Sequence, residues 1–194
     1  DATHNLHCAY VYSDGTKIVY KKVTAAGVET SEDAVTGLTD TPDFVSIAVS
    51  PNGNLVGIGY SNSGGVKFAE RASSVWASTT IDATLTVGLQ GSVLYTSGNE
   101  ARMAFMFFDG STSVILRYYM YSAGWTSQTI NSRSGATNAN CRCSLVINGS
   151  GNPRVSATWD TAFLGGYLNN SAGVGSWTQS DTITTFSIPQ ASSV

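Results

Sequence analysis

Charge is what this 194-residue chain has least of. Charged side chains make up 12% of it, about half of the roughly 25% usual in soluble domains. Ser, Thr, Gly and Asn stand where Lys and Glu usually do, so hydroxyls and amides solubilise the surface, which suits a secreted, extracellular protein. The net charge is −3, and among the scattered basic residues only Lys21-Lys22 are adjacent. Nucleic acid is therefore excluded as a partner, because phosphate binding needs concentrated Lys and Arg.

Long apolar runs are missing too. None approaches the about 18–20 residues that cross a bilayer, so membrane insertion is not expected. No charged-then-apolar leader stands ahead of Asp1, and any secretion signal is expected to have been removed. Histidine is nearly absent, with 2 residues. His4 and His7 have the spacing of a helical metal pair, but on a strand they point to opposite faces, so no metal site is expected. No Ser-His-Asp arrangement, glycine-rich phosphate loop or Cys-rich zinc pattern occurs.

Cysteine is limited to Cys8, Cys141 and Cys143. The last two share one strand face at about 6.5–7 Å, at or beyond the reach of a disulfide. A bridge from Cys8 to one of them would tie the chain's start to its last quarter and leave one thiol over. Three buried free thiols are the other reading. Two sequons, at Asn148 and Asn169, are candidate glycosylation sites in a glycosylating host.

What is present is a repeat of about fifty residues. "CSLVINGSGNPRVSATWDTAFLGGYLNNSAGVGSWTQSDTI", from Cys143 to Ile183, reads as four short strands separated by Gly, Asn and Ser turns. The same order runs from Phe44 to Ile81 and from Ser92 to Ile130. Trp76, Trp125 and Trp177 are spaced 49 and 52 residues, and Ile81, Ile130 and Ile183 are spaced 49 and 53. The third-strand aromatics Phe68, Tyr119 and Tyr167 are spaced 51 and 48. With no stretch of 3.6-residue periodicity, the chain is predicted to be all-β, with four strands per repeat. Such units are the signature of propeller blades.

The first repeat lacks its first strand. Asn5-Leu-His-Cys parallels Asn152-Pro-Arg-Val, a second strand, and Tyr20 holds the place of the third-strand aromatic. The tail supplies a candidate for the missing strand: Phe186, Ser187, Ile188 and Pro189 resemble the start of "FVSIAV" at Phe44. The prediction is a four-bladed β-propeller of antiparallel four-stranded blades, one domain over residues 1–194. Its blades are 4–36 plus 185–190, 43–83, 91–131 and 141–184.

The pattern Gly-Asn-Pro, alternating strand, aromatic, short turn, Tyr, then Gly-x-x-Trp-Thr resembles the repeats of sialidase-superfamily and lectin-type β-propellers. The resemblance covers nearly the whole chain and rests on structural residues. It departs where sialidases carry Ser-x-Asp-x-Gly-x-x-Trp between the third and fourth strands: "TAAGVETS", "ERASSVWAS", "YSAGWTSQ" and "NSAGVGSWTQS" contain no Asp. The resemblance therefore implies the fold rather than hydrolysis. His7, Arg102 and Arg154 stand at similar second-strand starts and are read as polar strand ends, with Glu100 the one nearby carboxylate.

A second feature recurs at the turn between second and third strands: Asp14, Asn62, Asp109 and Asp160, each just after an aromatic, Tyr12, Tyr60, Phe108 and Trp159. Such residues are what hairpin turns require. On one propeller face they would also form a ring of acceptors and aromatic surfaces able to hold glycans, or weakly a Ca²⁺ ion. No other cofactor is expected. The main functional expectation is a secreted, non-catalytic module for extracellular assembly or adhesion. Its partner is itself, through closure of the ring or head-to-tail exchange of the C-terminal strand into a filament. A glycan-binding lectin and a sialidase-like glycoside hydrolase are the alternatives.

Overall fold

The protein, as a computed structural model, is described for residues 3–84, 87–109, 112–134, 141–159, 164–169 and 177–183. The described residues contain no helix. Among the described residues, fifteen strands lie in four antiparallel sheets. The first sheet holds β1 (Leu6–Val11), β2 (Ile18–Val23) and β3 (Glu29–Val35). The second holds β4 (Phe44–Val49), β5 (Leu55–Asn62), β6 (Gly65–Ala72) and β7 (Val75–Asp82). The third holds β8 (Val87–Tyr95), β9 (Ala101–Phe108), β10 (Ser113–Tyr121) and β11 (Trp125–Ser134). The fourth holds β12 (Arg142–Ile147), β13 (Pro153–Trp159), β14 (Leu164–Asn169) and β15 (Thr178–Ile183). Each sheet pairs its strands in chain order. The first sheet has three described strands where the others have four. The tail segment Phe186–Pro189, expected as its inner strand, lies outside the described residues.

Burial explains why some strands show alternation and others do not. β5 and β9, "LVGIGYSN" and "ARMAFMFF", are buried along nearly their whole length, because neighbouring sheets cover both of their faces. β7 alternates little and stays largely exposed, as an outermost strand does. The core is accordingly divided into three slabs, one at each junction between consecutive sheets. Ile18, Tyr20, Val56, Ile58 and Tyr60 fill the first. Val66, Phe68, Met103, Phe105 and Tyr119 fill the second, and Met106, Leu116, Tyr118, Cys143 and Val155 the third.

Each slab is built from a large ring set against a small residue on the preceding strand. Tyr20 pairs with Ala9, Phe68 with Gly59 and Tyr118 with Ala104. A β-carbon on Gly59 would come 2.4 Å from Val93 Cγ2 of the next sheet, so glycine sets the spacing there. The third-sheet aromatic in this series is Tyr118. Tyr119, which the spacing pointed to, faces back into the second slab. The sequence could not separate two adjacent tyrosines whose side chains alternate across the sheet.

A tryptophan of each following sheet closes the junction. Trp76 packs edge-on against Tyr20 (centroids 5.4 Å apart), Trp125 against Phe68 (5.0 Å) and Trp177 against Tyr118 (5.3 Å), at 62°, 66° and 65°. These are favourable edge-to-face contacts between sheets. The roughly fifty-residue tryptophan period is thus the period of the sheet-to-sheet fastening.

No disulfide forms: Cys8, Cys141 and Cys143 are free thiols. This corrects the expected bridge. Cys8 lies in the first sheet, its Sγ over the Lys21 carbonyl. Cys143 Sγ sits between the third and fourth sheets, against the carbonyls of Gln90 and Ala104.

Candidate functional site

The turns at Asp14 and Asn62 lie beside the connection between the first two sheets. Leu38 N–H, in that connection, donates to the Thr16 carbonyl, and Ser63 N–H donates to Asp40 Oδ2 of the same connection at 2.6 Å. The acceptors serve their own turns. Asp14 Oδ1 takes the backbone N–H and hydroxyl of Thr16, Asn62 Oδ1 takes Gly64 N–H, and Asp109 Oδ1 takes Thr112 and Ser113 N–H. The Thr16 bonds hold the Asp14 carboxyl below its usual range. Asp160 lies outside the described residues.

The aromatic companions part ways. Tyr12 is 44% exposed, with the Lys17 ammonium 4.6 Å from its ring centre, but Tyr60 (1%) and Trp159 (3%) are buried and Phe108 is half-buried. Tyr60 and Trp159 therefore offer no surface to a ligand: β5 and β13 turn them into the slabs between sheets. Among the described residues no three His, Cys, Asp or Glu side chains gather as a metal-ligand group. Asn148 lies in the β12–β13 turn, its Oδ1 accepting from Ser150 and Asn152 N–H, and Asn169 ends β14.

His7, Arg102 and Arg154 lie on β1, β9 and β13, three different sheets. Arg102 is held by Glu100 at 2.5 Å and by the Tyr121 carbonyl. His7 Nδ1 bonds the Tyr20 hydroxyl at 2.7 Å.

The site that sequence reasoning missed lies at this last pair, on the opposite face from the aspartate turns. A cleft of about 260 Å³ opens between the first and second sheets, its walls including His7, Tyr20, Lys22, Glu32, Asn54 and Arg71. One wall comes from β1–β3 and the other from the β4–β5 turn and β6. Glu32 joins them. Arg71 Nη2 donates to Glu32 Oε1 at 2.7 Å, Arg71 Nε to Oε2 at 2.8 Å, and Trp76 Nε1 to Oε2 at 3.1 Å. This is the planar two-pronged pairing that arginine favours. The Arg71 bond holds the Glu32 carboxyl below its ordinary value, and partial burial opposes that only in part. Partial burial, together with the positive charges of Lys22 and Arg71, lowers His7. The only sequence signal was the recurring tryptophan; the partners come from strands thirty-nine and forty-four residues apart.

The same frame recurs at the next junctions with different polar groups. Between the second and third sheets a cleft of about 140 Å³ is lined by Phe68, Glu70, Thr79, Tyr121 and Trp125. There Tyr95 donates to Glu70 at 2.7 Å, and burial raises the phenol well above its usual range. At the third junction Trp177 Nε1 donates to Gln128 Oε1 at 3.1 Å, the amide standing where Glu32 stands in the first. Burial pushes Tyr118 up to about 12.

Comparison with known proteins agrees with this architecture. No family model and no curated protein matches the sequence. Solved structures do. The SapL1 lectin, determined with α-methyl fucoside, superposes with a TM-score of 0.62 at 14% identity, over 93% of this chain and 60% of that one. AofleA from Arthrobotrys oligospora gives 0.66 at 11%, over 94% of this chain and 54% of that one. A Hadza microbial sialidase gives 0.61 at 11%, over 84% and 40%. The chain thus spans little more than half the length of the first two. These likenesses support an all-β, propeller-like fold.

Proposed function

We propose that this propeller-type chain is a non-catalytic carbohydrate-binding module, and that its sugar sits in the cleft between the first and second sheets. The observation that carries this is the Arg71–Glu32–Trp76 constellation beside Tyr20. Sugars need rigid hydrogen-bonding groups next to apolar surface. Glu32 fixes the guanidinium, and the half-buried Trp76 brings apolar surface to the same junction, packed on the buried ring of Tyr20. A solved neighbour of this fold is a lectin holding a fucoside, which supports a sugar as the ligand. Hydrolysis by the usual route needs a pair of carboxylates flanking the bond. Among the cleft's described walls Glu32 is the only carboxylate, and Arg71 occupies both of its oxygens. The low-charge surface suits an extracellular setting.

The test is a glycan array followed by calorimetric titration with methyl fucoside and any array hits, for the wild type, Arg71→Ala and Trp76→Ala. Saturable binding that both substitutions weaken by about tenfold or more supports the reading. Binding that neither substitution touches places the sugar elsewhere.

A second reading concerns closure. β1 is an edge of its sheet among the described residues, and Leu6 (66% exposed) and Tyr10 (44%) project from it. On the next sheet the corresponding face, Val56, Ile58 and Tyr60, is buried. His4, just ahead of β1, has φ +58°, the left-handed conformation that Gly53, Asn99 and Gly151 adopt just ahead of β5, β9 and β13. The start of the chain is thus shaped as the end of a hairpin. An inner strand supplied by residues 185–190 would complete a fourth blade, within one chain or between neighbours in a filament. Light scattering before and after deletion of residues 185–194 distinguishes these: a mass that drops on deletion means exchange, and an unchanged monomer means self-closure.

A further inference from the structure

The proposed sugar cleft holds two cationic side chains, Lys22 and Arg71, against one carboxylate, Glu32, beside the neutral Thr24, Thr30 and Asn54. Arg71 spends two of its five N–H groups on Glu32, and the other three remain for a ligand. Lys22 adds an ammonium with three more. The described ion pairs join Lys17 to Asp33, Lys21 to Glu29, Arg71 to Glu32, Arg102 to Glu100 and Arg117 to Asp82. None of these involves Lys22, although Lys17 and Lys21 are both paired. Glu32, the cleft's one described carboxylate, has three of its four lone-pair positions taken by Arg71 and Trp76. Its charge is therefore neutralised on the spot, and Lys22 is left as the cleft's unbalanced charge, in a chain whose net charge is −3.

A neutral sugar's hydroxyls can pair with Thr24, Thr30 and Asn54, but they leave the Lys22 charge without a counter-charge. An acidic group on a sugar is acceptor-only and negatively charged. It matches unspent donors on two walls at once, with Lys22 on β2 and Arg71 on β6 facing each other across the junction. Charge-assisted hydrogen bonds in a partly enclosed cleft are also the stronger kind.

We infer that the cleft between the first and second sheets selects a saccharide bearing an acidic group, a carboxylate or a sulfate, held between Lys22 and Arg71. The inference rests on the carbohydrate-binding reading of the same site. Its test is calorimetric titration of the full chain with four probes: methyl glucoside, methyl glucuronide, methyl fucoside and a sulfated methyl fucoside. Each is measured at low and high salt for the wild type, Lys22→Met and Lys22→Glu.

The expected result is that at least one acidic probe binds about tenfold or more tightly than its neutral parent, and that salt weakens the preference. Lys22→Met should lower that ratio several-fold, and Lys22→Glu should reverse it. The glucuronide and sulfate arms tell the two acid classes apart. Neutral probes binding as well as acidic ones, with the ratio unmoved by either substitution, would overturn the inference and leave the carbohydrate reading intact. If no sugar binds, both fall. Lys22 is a partly exposed strand residue, so both variants are expected to fold, and circular dichroism checks that they do.

Discussion

Trp76 Nε1 lies 3.1 Å from Glu32 Oε2, a hydrogen bond from the outer strand of the second sheet to the outer strand of the first. Arg71 closes on the same carboxylate from β6. One glutamate thus both fastens two sheets and aims the guanidinium of the proposed sugar cleft.

Glu32→Gln keeps the shape and removes the charge. It is expected to cost about 1 kcal/mol in urea unfolding, a modest figure because the pair is partly exposed. The pH dependence has a definite sign. The folded-state carboxyl titrates below its ordinary value of 4.5. Its stabilisation is therefore complete above that value and is lost as pH falls through the lowered folded-state pKa. Wild type minus variant stability, measured from pH 7 downward, should shrink below about pH 4.5. A constant difference would mean the charge contributes nothing.

The three tryptophan contacts should be separable. Trp76→Phe keeps a ring against Tyr20 but loses the bond to Glu32, with an expected loss of about 1 kcal/mol. Trp177→Phe loses the bond to Gln128 likewise. For Trp125 no bond of this kind to the preceding outer strand is described, so the same change should cost less there. Equal losses at all three positions would mean that ring size, not the N–H, sets the energy.

The β6–β7 turn is strained. Ser73 and Ser74 have φ +50° and +72°, and a two-residue hairpin with both central residues left-handed favours Asn-Gly. Ser74→Gly, alone or with Ser73→Asn, should raise stability by roughly 0.4–1 kcal/mol. A fall in thermal midpoint would show that the serine hydroxyls contribute more than the strain costs.

With three free thiols, reducing agent should leave the melting temperature unchanged. Cys8 is half-buried, whereas Cys143 is 8% exposed and burial pushes its thiol up to about 12. A thiol reagent at pH 8 should label Cys8 first and Cys143 only on unfolding. Protection of Cys8 along with one other cysteine, relieved by reductant, would indicate a bridge.

How much of this was legible beforehand differs by feature. The all-β class, the near-fifty-residue unit and the three-stranded start follow from turn residues and alternation, which are local properties of the backbone. The repeat even marked the fastening tryptophans, one at each of the three described junctions. Local pattern could not say which of Tyr118 and Tyr119 faces the next sheet, since a one-residue difference flips the side chain. Nor could it show that Tyr60 and Trp159 are core, because burial on both faces erases the alternation that separates inside from outside. The missing disulfide is of the same kind: spacing is compatible with a bridge, and only the placing of the sheets separates Cys8 from Cys143.

By itself, then, the sequence determined the repeat, its strand content and where each turn falls, because these depend on neighbours within a few residues. Only the tertiary structure decided the cleft. Glu32, Arg71 and Trp76 come from two repeats, and of the three only the tryptophan recurs in the others. The packing of one sheet on the next brings them together, where a carboxylate must find partners to be partly buried at all.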